Sequence, residues 1–392
     1  MSTTEQTTQT SSTPPEDTLL GRAVAAQPPS RFGRGGSTLL RHLIIALVGG
    51  VLVIGLTFLL PSFRNYQLAT MLAYLTVTAG LTVLIGLNGQ ISLGHGAIMA
   101  VGGYTAAFVQ NGLYSAGFTN PAPADDPFGT ETAAQWTLVV SLLAGVLAAI
   151  AAGAIIGLAA ARLRGPYLAG VTLAVAVIVP SITTSFDVFN GDQGLRVAVP
   201  PKPLDLPASL VTEQWQAWVA FIGAALVLVI LANLIHSRFG RSFRAVRDDE
   251  VAAQLSGIHV ARTQIIAFVV SAATAGLAGG MLVFLVRNAQ PGTFGLLLSL
   301  YLVLAIVLGG LGSLAGATWG ALFIVAVPYL TEQMSKSFNM GPGLTQKLTG
   351  NLPLAVFGLA LIVVTIAAPG GIQNLVRRIS AWLRGRVRRP AS

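Results

Sequence analysis

The polar groups best suited to meet a small solute lie in one glycine-rich run, Gly86-Leu-Asn-Gly-Gln-Ile-Ser-Leu-Gly-His-Gly96. There Asn88, Gln90, Ser92 and His95 alternate with Gly89 and Gly94 between two apolar segments. Amides and hydroxyls donate and accept hydrogen bonds without carrying charge, so they suit contact with a neutral or zwitterionic solute and not proton transfer or bond cleavage. A second run, Gly309-Gly-Leu-Gly-Ser-Leu-Ala-Gly316, places Gly310, Gly312 and Ser313 ahead of another small-residue segment. Ser92-Leu93 and Ser313-Leu314 occupy comparable positions in the two halves, as an internal repeat would leave them. Helix N-termini opening at such breaks carry a partial positive charge that suits a carboxylate. The same glycines also allow close helix packing, and both readings can hold together. A lone histidine in such a turn, His95, fits a hydrogen-bonding helix cap better than a ligand contact.

Other chemistry finds little support. His42, His95, His236 and His259 are dispersed, with no H-x-x-x-H spacing or adjacent acid cluster, so no metal site or hydrolase is expected. The chain has no cysteine, which removes disulfides and thiol nucleophiles. It also lacks the G-x-x-x-x-G-K-[ST] loop, so no ATP site of that kind and no other cofactor site is expected in this chain itself. An energy source, if one is used, belongs to a partner.

The elements that position these residues belong to a bilayer. Of the 392 residues, 53% are hydrophobic and 9% charged, against about a quarter charged in a soluble domain. Apolar runs of spanning length fall at 43–60, 66–87, 136–161, 167–184, 215–235, 263–286 and 352–368, and shorter ones at 96–110, 294–309 and 314–330. The expected fold is therefore all-α and integral to the membrane, with ten spans. These contain almost no ionisable groups, unlike a proton- or voltage-driven machine.

Basic residues set the orientation. Under the ten-span arrangement one side collects Arg22, Arg31, Arg34 and Arg41, then Arg162 and Arg164, then Arg238, Arg241, Arg244, Arg247 and Arg262. Arg377, Arg378, Arg384, Arg386, Arg388 and Arg389 complete that side. Asp125, Asp126, Glu131, Asp187, Asp192, Asp205, Glu213 and Glu332 fall on the other. Both termini then face the cytoplasm, and the net charge of +9 reflects orientation and contact with anionic lipid, not nucleic acid. Residues 1–41, rich in Ser, Thr, Gln and Pro, are expected to be a disordered tail and not a cleavable signal. Residues 42–370 form the membrane domain and 371–392 a basic tail.

The one charged island inside this domain is the loop 236–262. Asp248, Asp249 and Glu250 precede Val251-Ala-Ala-Gln-Leu-Ser256 and then Gly257, which predicts a short helix with acids in its first turn and glycine at its stop. Such a helix is too short to stand alone. The three acids argue against a helix lying on lipid headgroups, and the apolar edge of Val251 and Leu255 fits a groove on a soluble partner.

These features resemble a known family, the permease subunits of bacterial ABC importers for branched-chain amino acids, and specifically the longer of its two permease types. The resemblance rests on Asn88-Gly-Gln-Ile-Ser-Leu-Gly-His-Gly-Ala97 with Gly103-Tyr104, on Phe239-Gly-Arg-Ser-Phe-Arg-Ala-Val-Arg-Asp-Asp-Glu-Val-Ala-Ala253 with Gly257-Ile258, and on Val307-Leu-Gly-Gly-Leu-Gly-Ser-Leu-Ala-Gly-Ala317. It spans roughly residues 65–370. It implies a type II-like importer permease of ten spans in two inverted halves, in a bacterial inner membrane. The implied partners are a second permease, two ATP-binding subunits and an extracytoplasmic binding protein. The island would couple to the ATPases through Arg247, Asp248, Asp249, Glu250, Ala252, Ala253, Leu255 and Gly257, although Val251 stands where the family's Glu-Ala-Ala-x-x-x-Gly pattern has its acid. Related permeases carry urea, amides and other amino acids, and the shared motifs do not separate these. A passive facilitator for a small neutral solute such as urea is the alternative, but it has no need of the 238–262 loop. A transport-inactive scaffold explains neither the paired breaks nor the capped helix.

Overall fold

A computed structural model describes residues 35–120, 132–163, 165–203, 210–337, 352, 355–364, 366 and 370–387. Most of the expected tail, Arg164, and the acidic residues Asp125, Asp126, Glu131 and Asp205 lie outside the described residues, as do Arg388 and Arg389.

The chain is an all-α membrane protein. In order run α1 (Gly35–Leu59), α2 (Ser62–Leu81), α3 (His95–Ser115), α4 (Gln135–Ala160), α5 (Pro166–Ser185) and α6 (Thr212–His236). They are followed by α7 (Arg238–Asp248), α8 (Glu250–Leu255), α9 (Val260–Val286), α10 (Leu296–Gly309), α11 (Leu314–Ser337), α12 (Ala355–Val364) and α13 (Gly371–Val387). Among the described residues, 8 helices are long and apolar enough to cross a bilayer. The other two expected spans are α3, whose apolar character is diluted by glycines and polar groups, and the short α12. The dilution has a cause: α3 lies between other helices, so hydropathy is not demanded of it by lipid. Peripheral α1 shows the opposite, with Leu47, Val51, Leu52 and Phe58 exposed where acyl chains would cover them.

The centre is made of α2, α3 and α9, with one side of α4 packed against α3 and α9. It closes through small residues, because apolar surface alone gives no preference for helix over lipid and backbones must come close. A methyl group on Gly102 of α3 would be driven into the backbone of Gly276 in α9, and one on Gly145 of α4 would sit 2.5 Å from the Gly102 carbonyl. Threonines on α2 bond back to their own helix, Thr76 to the Leu72 carbonyl and Thr78 to the Tyr74 carbonyl, both at 2.9 Å.

The linkers at the opposite end from α7 and α8 carry two short antiparallel pairs. Thr119 and Asn120 (β1) pair with Ala133 and Thr132 (β2), and Leu195 and Arg196 (β3) with Ala289 and Asn288 (β4). Below them Gln110 of α3 joins α4, donating to Thr137 Oγ1 and the Ala198 carbonyl at 2.9 Å and accepting from Ser141 Oγ at 2.9 Å.

Two boundaries differ from the composition reading. Helix α1 starts at Gly35, inside the stretch assigned to the tail, and Gly371–Val387 is a helix where only a basic tail was expected. Low hydropathy hid both, since membrane-span signals register lipid contact and not helicity.

Candidate functional site

At its C-terminal end α2 widens into a π turn, Thr82–Leu87, closed by the Asn88 N–H donating to the Val83 carbonyl at 3.1 Å. Such turns are uncommon and concentrate at functional places. The chain then runs irregularly through residues 88–94 before α3 begins at His95. Irregular backbone at membrane depth needs partners from the protein, because lipid offers none.

The partners are hydroxyls from three other spans. Thr172 of α5 accepts from the Leu93 N–H at 3.0 Å, and Ser299 of α10 accepts from the Gly96 N–H at 3.0 Å. His95 is buried between Ser92 Oγ (3.0 Å from Nδ1) and Ser271 Oγ of α9 (2.7 Å from Nε2). The start of α3 is thus capped by other helices, which satisfies N–H groups that its own turns cannot reach. Gly94 lies against the Thr172 carbonyl, 2.5 Å from where a Cβ would stand.

Asn88 and Gln90 are treated differently. Asn88 is 3% exposed and Gln90 7% exposed, yet neither polar atom of the Asn88 amide nor the Gln90 Oε1 has a hydrogen-bond partner. A buried unpaired amide group costs about 1–3 kcal/mol, so these atoms are poised to accept a partner.

The second break packs onto the first. Helix α10 ends at Gly309, and Gly310 adopts φ +120°, which a residue with a Cβ rarely takes. Ser313 Oγ accepts from the Gly316 N–H at 3.4 Å where α11 begins. A methyl group on Gly86 would be driven into the Gly312 backbone, so the two interruptions form one junction. Thr78 of α2 also donates to the Ala317 carbonyl of α11 at 3.3 Å.

The charged island sits on this junction as two helices, α7 and α8, where a single one was expected over its acidic end. Asp249 caps α8, accepting from the N–H groups of Val251 (2.8 Å) and Ala252 (3.0 Å). Gly257, at φ +81°, stops it, and the N–H groups of Gly257 and Ile258 return to the carbonyls of Gln254 and Ala253. Ala253 is buried with Val246 and Val260, which holds a helix too short to stand alone. Glu250 turns back toward α9 and accepts from Gln264 Nε2 at 3.2 Å. Val251 and Leu255 project outward, 65% and 86% exposed.

Arg247 joins island and junction. Its guanidinium donates to the Gly86 carbonyl at 2.8 Å and to Asp248 Oδ1 at 2.8 Å and 3.1 Å, and its side chain lies over Gly89. The structure therefore brings Asn88, Gly89, Gly312 and Arg247 together, with Ser92, Gly94 and His95 at the α3 start. Asp248, Ala252, Leu255 and Gly257 stand on the exposed side. Sequence reasoning missed Thr172, Ser271 and Ser299. Their signal was a hydroxyl inside an apolar span, which alone says nothing about its partner.

Residues 64–365 match the family model described as the branched-chain amino acid transport system / permease component. The chain is 28% identical over 366 residues to the high-affinity branched-chain amino acid transport system permease protein LivM of Salmonella typhimurium, covering 87% of this chain and 77% of that protein. LivM of Escherichia coli strain K12 aligns to the same extent. The permease protein LivH of Salmonella typhimurium is 28% identical over 282 residues, 69% of this chain and 84% of its own length. No solved structure matches.

Proposed function

The chain belongs to the branched-chain amino acid transport permease family, and from that premise we propose that it is the translocation subunit of an ATP-driven importer of branched-chain or related zwitterionic amino acids. The observation that carries the reading is the tie from the island to the junction. A capped helix offers Val251 and Leu255 to a soluble partner, while Arg247 at its base holds the Gly86 carbonyl where the two breaks meet.

In this mechanism two ATP-binding subunits grip α8, and their closure displaces α7 and α8 together. Arg247 carries the displacement to the π turn, and the Gly86–Gly312 contact passes it to both halves. The path then opens between this chain and a second permease, as the presence of both LivM and LivH among the relatives supports. An extracytoplasmic binding protein delivers the amino acid and holds most of the selectivity. Asn88 and Gln90 offer both a donor and acceptors to its ammonium and carboxylate in transit. The island and both termini face the cytoplasm of a bacterial cell in this arrangement.

The test is co-purification and uptake with the ATP-binding subunits and second permease encoded beside this chain. The Ala252→Arg/Leu255→Asp variant is expected to lose the ATPases without losing thermal stability, because both side chains are exposed. Arg247→Ala is expected to keep the ATPases and their hydrolysis yet lose uptake. Retained association in the first variant, or uncoupled passage of a neutral solute by this chain alone, overturns the reading.

A further inference from the structure

Helix α13 (Gly371–Val387) is docked on the bundle at its start and open along its next turn. Its first turn is docked: Gly371 packs on the Gly310 backbone, and Gln373 Oε1 accepts from Trp319 Nε1 of α11 at 3.1 Å. Beyond that turn all five residues from Leu375 to Ile379 are exposed, although Arg377 Nη2 still donates to Ser313 Oγ at 3.4 Å. At 100° per residue Leu375, Val376 and Ile379 share one side of the helix, while Arg377 and Arg378 point to the other. Leu375 is 43% exposed, Val376 39% and Ile379 50%.

A helix that leaves both an apolar and a cationic side uncovered is matched to a boundary between two media. The charge indicates which boundary. From Gly370 onward the chain holds Arg377, Arg378, Arg384, Arg386, Arg388 and Arg389 and no acidic residue. Helix α13 also follows the apolar α12 closely, so it emerges where a bilayer-embedded segment ends. Guanidinium groups pair with phosphate oxygens in bidentate fashion, and an apolar strip beside them enters the acyl boundary.

We propose that α13 is an interfacial anchor for acidic phospholipid. It lies in the plane of the bilayer surface with Leu375, Val376 and Ile379 against acyl chains and Arg378 against lipid phosphate, while Arg377 is shared between lipid phosphate and Ser313. Its docked end, Gly371 on Gly310, then holds the second break at the membrane surface. The anchor does not depend on the importer reading, because it requires neither ATP nor a partner permease.

The native chain has no cysteine, so single labels report cleanly. Spin labels are placed at Ile379→Cys and, separately, Arg378→Cys in the full chain, in nanodiscs of phosphatidylcholine alone or mixed with phosphatidylglycerol. With phosphatidylglycerol, the label at 379 is expected to become accessible to oxygen and shielded from a water-soluble nickel chelate, and the label at 378 to show the reverse. Adding Arg378→Gln to the Ile379→Cys chain should raise the phosphatidylglycerol fraction needed for half-maximal shielding severalfold. Each basic side chain near an anionic leaflet changes association by about fivefold. Equal water access at 379 in both lipid compositions overturns the proposal. So does shielding at 379 from the nickel chelate and from oxygen alike, which would place a protein surface over the apolar side.

Discussion

The two ends of α3 handle buried amides in opposite ways. Toward its C-terminal end Gln110 is fully buried and its carboxamide is engaged from both atoms, by Thr137, Ser141 and the Ala198 carbonyl. Before its N-terminal end Asn88 is buried almost as deeply, with no partner for either amide atom. The first arrangement locks α3, α4 and the segment around Ala198 into one geometry. The second carries a standing desolvation cost that no group of the described protein offsets. Between them the His95–Ser271 bond fastens the start of α3 to α9.

This contrast orders three outcomes. Gln110→Leu has the largest effect on stability: removal of its three hydrogen bonds, two to α4 and one to the Ala198 carbonyl, should cost about 2 kcal/mol, seen as a lower midpoint in thermal unfolding in detergent. A smaller loss, about 1 kcal/mol, is expected for Ser271→Ala, which leaves His95 Nε2 without its partner. Restoration by Ser271→Thr would attribute that loss to the hydroxyl. Asn88→Leu should change stability by less than about 0.5 kcal/mol or raise it, because it removes unpaired polar atoms. Its uptake rate in the assembled transporter should fall about tenfold, the worth of one hydrogen bond to a charged group. A destabilised Asn88→Leu chain with unaltered uptake would erase the distinction between the two ends.

Much of the fold was legible because lipid imposes a local rule. A span facing acyl chains must be apolar along its own length, so composition alone marks α1, α4 and α6. The rule weakens where protein replaces lipid, which is why α3 and its glycines give a fainter signal than its neighbours. Helix α8 was legible for a different reason: the Asp249 cap and the Gly257 stop are contained within its own few residues. Helix α7 was not, because its stability comes from Phe243 and Val246 packing into the protein, and arginines dominate its sequence.

By itself the sequence determined the solvent, the spans, the places where spanning helices break and the uncharged chemistry available there. All of these follow from residue type and short-range spacing. Only the tertiary structure decided which groups complete the breaks. Leu93, His95 and Gly96 meet hydroxyls 79, 176 and 203 residues away, and Gly86 meets Arg247 at a separation of 161. Serine and threonine carry no address, since a hydroxyl in a span can bond its own helix as readily as another, as Thr76 does with the Leu72 carbonyl. The helix packing that presses Gly86 onto Gly312 and Gly102 onto Gly276 supplies that address, by fixing which backbones come close enough to be capped.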